Sequence, residues 1–380
     1  NDFRIRFLTQ KGVKFINILD VLNVGKRLKN LFFRFMIQDS KLGIYNPWRL
    51  LVNRSFLNPY ISVMKRRIKN LEPSQIIGQI SSDTRVVIFD QKWSSSEFPG
   101  NVYKSLAEYC QSVDIHTISM PHGHITFSNS LILEYQMDIS ASKNIMHDSS
   151  KEKAYTDYVI FENEIMSKRY VDSGIVSKNQ AVVLGSSRFN KEWNAYLRNI
   201  IPKHPMPKIS DKYLKLVWFL SPEKYNVHLE EVSRIIKYLG KFDNIRVMIK
   251  PHTRRNSMRF LEALPDNFFL ASEKIHSPQL IDWSDVVLFT TTSVIFDALI
   301  RDKPIFYLKC AHSNTNMSED FFNSWEIHCR DDIRDKLWSL LADKKYRTYS
   351  KADAELYMSK AIFPKGKDVL RNYTNFLLSF

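Results

Sequence analysis

An α/β fold made of two doubly wound, Rossmann-like halves is what this sequence predicts, and three observations predict it. From residue 84 onward, short apolar runs of strand length alternate with amphipathic stretches of helix length. Repeated βα units of this kind imply a parallel sheet covered by helices on both faces. A stretch with three prolines and no periodicity, NIIPKHPMPKISDK at 199–212, divides the series in two. At 380 residues the chain also exceeds one ordinary core and fits about two domains, on a prior of roughly 100–200 residues each.

The elements follow in order. Strand TRVVIFD (84–90) leads to helix VYKSLAEYCQSV (102–113) and strand DIHTISM (114–120), which runs into Pro121. Strand YTDYVIFEN (155–163), helix EIMSKRYVDSG (164–174), ended by its glycine, and strand QAVVLGSS (180–187) complete the first half. Behind the proline-rich linker come strand 213–222, helix 228–242, strand 245–251, helix 257–265 and strands 268–272 and 285–290. Helix 293–302 and strand 304–309 close the second series. A late helix, DIRDKLWSLLADKKY (332–346), and a helical tail to Phe380 are expected to pack back over the hinge. The boundaries are 1–70 for a basic segment of the first lobe, 71–198 for the first Rossmann-like domain and 199–212 for the linker. The second such domain takes 213–345, and a tail crossing back takes 346–380. Between two such halves a cleft is expected.

Composition narrows the class. With 44% hydrophobic and 13% aromatic residues, the chain can fill its interiors and is not a disordered one. Three widely spaced cysteines, Cys110, Cys310 and Cys329, give no disulfide framework and no metal-ligand spacing, so a reducing cytoplasm is the simplest compartment. No apolar run approaches the roughly 18 residues that span a bilayer, and the start does not resemble a cleavable signal. A chain opening on Asn1 rather than Met is consistent with a piece of something longer.

The formal charge of +15 is concentrated at one end: residues 1–70 hold fifteen Lys and Arg against three acids, 15 − 3 = +12. In GKRLKNLFFRFMIQ (25–38) the cations interleave with large apolar side chains, a basic amphipathic surface. Such a surface suits an anionic membrane face, where each cation contributes about 1 kcal/mol. A solvated basic helix face is the plain alternative. Nucleic acid attracts the same charge, but no nucleic-acid module accompanies it, so no nucleic-acid partner is expected.

The chemistry is concentrated at predicted strand ends, where open α/β sheets bind ligands. Strand 245–251 delivers Lys250, Pro251 and His252, followed by Arg254 and Arg255. Strand 285–290 delivers Thr290, Thr291, Thr292 and Ser293, which open a helix whose unpaired N–H groups favour a phosphate. A cation and an imidazole beside such a helix suit a diphosphate or a nucleoside monophosphate, so nucleotide-sugar chemistry is expected. Asp297 lies four residues beyond Ser293 on the same helix face and is expected either to orient the hydroxyl pair or to cap a neighbouring loop, in both cases without touching the donor. His122, ahead of Gly123, is the candidate general base or acceptor-orienting group, with His124 as a weaker companion. Asp90 ends the first strand, either as a catalytic carboxylate or as a cap of the following turn. Glu134 and Asp138 are second-choice bases. No DxD motif stands at a strand end, and the adjacent pair Asp331 and Asp332 opens a late helix, so no metal is expected at the donor site.

Four segments together resemble the glycosyltransferase-B (GT-B) architecture over residues 84–320. Within it they resemble the bacterial surface-polysaccharide transferases, which include CDP-glycerol polyol-phosphate transferases and CMP-Kdo-dependent capsule and O-antigen enzymes. PHGH (121–124) is similar to the His-Gly motif of the first half. LGSSRFNKEW (184–193) resembles the "GxPR" hinge turn, with Ser187 where proline is usual, and assigns Gly185, Ser186 and Arg188 to the hinge. KPHT (250–253) resembles "KPHP", and SDVVLFTTTSVIFDALIRDKPIFYL resembles the "SD…SS…FDA…KP" donor signature.

The resemblance implies a nucleotide-sugar transferase, most simply Kdo from CMP-Kdo to a lipid-linked capsule or lipopolysaccharide chain. His252, Thr292 and Ser293 would hold the nucleotide phosphate. Asp90 would act as nucleophile on the retaining route. A CDP-glycerol or CDP-ribitol transferase, a sugar-nucleotide epimerase and a non-enzymatic basic scaffold are the alternatives. The expected partners are a nucleotide-sugar donor, a lipid-linked glycan acceptor and, through residues 1–70, the inner face of the cell membrane. No cofactor is expected.

Overall fold

The computed structural model describes residues 84–90, 100–121, 153–221, 226–252, 263–320 and 323–380. The basic segment 1–70, most of the expected helix 257–265, and His122, Gly123, His124, Glu134, Asp138, Arg254 and Arg255 lie outside the described residues. The chain divides into two compact units, each with its own parallel sheet, in agreement with the expected α/β class. Among the described residues no helix is long and apolar enough to cross a membrane.

The first unit takes its described residues from 84–121, 153–185 and 368–380. Strands β1 (Val86–Asp90), β2 (His116–Met120), β3 (Tyr158–Phe161) and β4 (Ala181–Val183) are parallel and lie in chain order. Helix α1 (Gly100–Ser112) joins β1 to β2, whose register runs from Val86 opposite His116 to Asp90 opposite Met120. Asp157 ties three elements together: its carboxylate accepts from the Thr117 backbone N–H at 2.8 Å, the Thr117 hydroxyl at 2.7 Å and Gln111 Nε2 at 2.9 Å. Helix α2 (Glu164–Asp172) starts where the Asn163 side chain accepts from Met166 N, with Glu164 complementing the dipole in the first turn. It is followed by Gly174 at φ +74°, a left-handed position that suits glycine. Ile118, Val159, Phe161, Ile175 and Val183 form the interior.

The second unit spans 186–367 in its described parts and holds five parallel strands in the order β7 (Phe268–Leu270), β6 (Ile245–Lys250), β5 (Leu214–Phe219), β8 (Val286–Phe289) and β9 (Ile305–Tyr307). A 3₁₀ turn (Ser187–Phe189) and helix α3 (Lys191–Ile200), started by Asn190 accepting from Trp193 N, come first. Strand β5 (Leu214–Phe219) is central, and Leu216, Val217 and Trp218 are fully buried in succession. That continuous run is the signature of a strand covered on both faces. Helix α4 (Leu229–Leu239) buries Val232, Ile235, Ile236 and Leu239, spaced on one face. At its C-terminal end and just beyond, Asn267 Nδ2 donates to Leu239 O at 3.1 Å and Phe242 O at 3.0 Å.

Strand β6 (Ile245–Lys250) and β7 (Phe268–Leu270) extend the sheet on one side of β5. After helix α5 (Ser277–Trp283), β8 (Val286–Phe289) pairs with the other side of β5, Leu216 opposite Val286 through Phe219 opposite Phe289. Strand order reverses between β5 and β8, which is the switch point where ligands of doubly wound sheets bind. Helix α6 (Val294–Ile300), strand β9 (Ile305–Tyr307), α7 (Arg330–Ala342) and α8 (Lys351–Ala361) complete this unit.

Helix α9 (Val369–Leu377) belongs to the first unit. Its Tyr373 hydroxyl donates to Gly185 O at 3.1 Å, and Asn372 Nδ2 donates to Leu184 O at 3.3 Å. Phe376 and Phe380 lie against Tyr158 with ring centroids 5.4 and 5.3 Å away, and Phe380 is 4.6 Å from the His116 ring.

The passage between units differs from the expected linker at 199–212. It falls at Gly185–Ser186, where Gly185 takes φ +95°. Residues 199 and 200 finish α3. The rest of the proline-rich stretch is held to α5: His204 N donates to Gln279 Oε1 at 3.1 Å and Trp283 Nε1 donates to Pro207 O at 3.3 Å. Proline removes periodicity without removing order, since backbone carbonyls still accept from side chains.

Candidate functional site

The second unit gathers most of the predicted donor residues at the carboxyl ends of β5, β6 and β8. Ser221, just beyond β5, is nearly fully buried and knits the switch point. It accepts from the Thr290 hydroxyl at 2.9 Å and from the Thr291 backbone N–H at 3.3 Å, and its own hydroxyl donates to Thr291 O at 3.0 Å. Thr291 Oγ1 is buried without a hydrogen-bond partner among the described residues. Thr292 and Ser293 are half-buried, and Thr292 Oγ1 accepts from Val294 N at 3.3 Å, bracing the entry to α6.

Arg188 reaches this entry from the 3₁₀ turn. Its Nη1 donates to Ser293 Oγ at 3.2 Å, and its Nη2 is 3.8 Å from Asp297 Oδ2. The guanidinium carbon lies 5.0 Å from the Phe189 ring centroid, and Phe189 packs on Phe296 of α6 at 5.2 Å. That aromatic pair fixes the turn against the helix. The Arg188 side chain remains 47% exposed while Asp297 is 8% exposed, so the pair has one face toward water and one toward the interior.

Asp297 is shared. Arg301 Nη1 lies 3.4 Å from Asp297 Oδ1 and donates to Asp297 O at 3.0 Å, and Arg301 Nε donates to Asp282 Oδ1 at 2.9 Å. Burial pushes the Asp297 carboxyl up from its usual value, and the Arg188 and Arg301 charges pull against it. Asp297 thus pairs with Arg188, which in turn bonds Ser293.

His252 is half-buried and follows the buried Pro251 at the end of β6. Lys250 is placed differently from the expected phosphate contact. It is 9% exposed, and Nζ donates to Ser272 O at 2.9 Å and Glu273 O at 3.2 Å, clamping the loop after β7. An ammonium buried at a strand end takes the nearest backbone carbonyls as partners. Ser186 is fully buried, and its N–H donates to Ile362 O at 2.8 Å, so it anchors the turn. Asp90 closes β1 in the first unit. No group of three or more His, Cys, Asp or Glu with metal-ligand geometry occurs among the described residues.

Sequence reasoning missed two residues. Ser221 was visible as a hydroxyl after an apolar run, the same signal that marked Thr290. Arg301 stood in a quoted motif as a helix-end cation, and only the fold turns it toward Asp297.

No family model matches the chain, and no curated protein matches it. Solved structures do. The S. aureus MnaA–UDP co-structure is 12% identical with TM-score 0.48, covering 84% of this chain and 82% of that one. The Neisseria meningitidis UDP-GlcNAc 2-epimerase bound to UDP-GlcNAc is 10% identical with TM-score 0.45, covering 78% and 80%. The wall teichoic acid polymerase TagF is 11% identical with TM-score 0.43, covering 85% and 98%. These are likenesses in the path of the chain.

Proposed function

We propose that this protein is a GT-B-type glycosyltransferase whose donor is a nucleotide-activated sugar, bound in the second unit at the carboxyl ends of β5, β6 and β8. The observation that carries this reading is Arg188: a half-exposed guanidinium fixed by Ser293 and the buried Asp297 beside the entry to α6. A guanidinium held in place presents its fork to phosphate without reorganising, which makes it effective against charge that grows as a nucleotide departs. His252, Thr292 and Ser293 are proposed as further donors to that phosphate. The donor-site chemistry is carried by protein cations, with no metal ion.

A cytidine-nucleotide donor is the specific form, most simply CMP-Kdo, whose carboxylate gives a second anionic group for the basic stretch around His252. The acceptor is proposed to be a lipid-linked surface glycan, with residues 1–70 holding the enzyme to the inner face of the cell membrane. Asp90 and His122 are the proposed catalytic pair of the first unit. A CDP-polyol carries related phosphate chemistry; Asp90→Asn separates the two, abolishing turnover in a covalent-sugar route and sparing direct phosphotransfer.

The test is nucleotide release from a panel of CMP-, CDP- and UDP-activated donors, with intact-mass detection of a covalent adduct. Arg188→Ala should weaken binding of the accepted nucleotide by about 1.5–3 kcal/mol, the scale of a charge-assisted hydrogen bond. A chain that binds none of these nucleotides, measured as a saturable thermal shift, is the basic scaffold instead.

A further inference from the structure

We infer that Arg301 is a positioning residue that keeps Arg188 available to a donor phosphate by taking up half of the charge of Asp297; the inference rests on the donor site proposed above. Arg188 faces a buried carboxylate only 3.8 Å away. Alone, that pair would be neutral, and an incoming phosphate would compete with Asp297 for the guanidinium. The second arginine changes the balance. Arg301 is 4% exposed and meets the other carboxylate oxygen at 3.4 Å. The three groups Arg188, Asp297 and Arg301 sum to 2 − 1 = +1, and Asp282 beyond Arg301 brings the four to 2 − 2 = 0.

Asp282, the remaining partner of Arg301, is 53% exposed, so water screens its charge far more than that of Asp297. Because Arg301 shares Asp297, Arg188, the one of those three with substantial exposure, is left less than fully neutralised by it. Geometry supports the same division of labour. Arg301 is bonded to Asp297 O, Asp297 Oδ1 and Asp282 Oδ1, which fixes it against α6 and leaves it turned inward. Arg188 gives Nη1 to Ser293 and has further N–H donors on a planar fork. Arg301 touches no donor in this scheme; it acts through Asp297.

The test compares binding of CMP and of cytidine by titration calorimetry, so that the ratio isolates the phosphate. In wild-type protein CMP binds more tightly than cytidine, and Arg188→Ala removes the difference. Arg301→Gln should weaken CMP about tenfold while leaving cytidine unchanged, the scale of one charge-assisted contact. Arg301→Lys keeps the charge and should hold CMP near the wild-type value.

The double variant Asp297→Asn with Arg301→Gln gives the decisive sign. Removing the competing carboxylate should restore CMP to within about threefold of wild type, where loss of two merely structural groups would weaken it further. If Arg301→Gln does not fold, the double variant decides alone, because it replaces a buried ion pair by neutral groups of similar shape. A folded Arg301→Gln that binds CMP like wild type, or a double variant at least tenfold weaker, overturns the inference. Absence of CMP binding by wild-type protein overturns the cytidine-nucleotide reading and this inference with it, while binding of none of the nucleotides overturns the donor site itself.

Discussion

His312 should make this protein acid-sensitive in a way one substitution removes. It lies just beyond β9 at 4% exposure, its ring 5.1 Å from that of Tyr307. Nδ1 accepts from the Asn314 backbone N–H at 2.9 Å, which places the proton of the neutral ring on Nε2. Burial, with Lys309 and then His228 adding to it, lowers the imidazole to about 3. The unfolded chain takes up its proton near about 6.5. Between these values unfolding binds a proton, so the stability present above pH 6.5 is lost progressively as the pH falls toward 3.

At pH 5 the loss is RT ln[(1 + 10^1.5)/(1 + 10^−2)], about 2 kcal/mol, and at pH 7.5 it is about 0.1 kcal/mol. For a unit of this size that corresponds to a melting shift of about 4–8 °C. His312→Asn offers an oxygen where Nδ1 accepts and does not titrate. Asp297 and Glu326, both raised by burial, act with the opposite sign, so the comparison must be wild type against variant rather than pH against pH. Melts of both proteins at pH 7.5 and 5.0 should show the wild type losing about 2 kcal/mol more than the variant. Equal losses would refute the reasoning, since they would mean that the folded imidazole protonates as readily as the unfolded one.

Other expectations concern packing and reactivity. Gly240→Ala should destabilise the second unit by about 1–3 kcal/mol in denaturant titration, because a Cβ there would meet Pro265 Cγ at 2.6 Å. The backbone at Gly240 is ordinary helix, where alanine without that neighbour would stabilise. Asn267→Ala should cost about 2 kcal/mol by the same assay, since Phe242 O and Leu239 O each lose a donor, Leu239 O keeping only the Phe242 N–H at 3.2 Å. At pH 8 a thiol reagent should label Cys329, which is exposed, well before the other two cysteines in intact-mass analysis. Burial pushes the Cys110 and Cys310 thiols up to about 11, so the half-buried Cys310 should react slowly and the buried Cys110 only on unfolding.

The strands of the second unit were legible because burial on both faces turns them into unbroken apolar runs, as in Leu214–Phe219 and Val286–Phe289. Helix α4 was legible from the spacing of Val232, Ile235, Ile236 and Leu239. Helices α3 and α5 were not. The first hides behind a hinge motif with Asn190 as its cap, and the second has seven residues with proline in its first turn, too short for a periodic signal.

The hydroxyl run and His252 were legible as strand-end residues, but their partners were not. Lys250 reads as a strand-end cation, and only the presence of β7 beside β6 supplies Ser272 and Glu273 for it to clamp. Ser221 and Thr290 are 69 positions apart, and Arg188 and Ser293 are 105 apart. Such pairs have no local pattern, because pairing of non-neighbouring strands and turns creates them.

The placement of α9 has a consequence for synthesis. The sheet of the first unit is translated early, yet Tyr158, His116, Leu184 and Gly185 meet their aromatic and hydrogen-bonding partners only in residues 368–380. Domains that are contiguous in sequence can mature on the ribosome in the order they emerge. Here the first unit, whose strands emerge early, can complete its packing only after the whole of the second unit has been made and α9 has followed it.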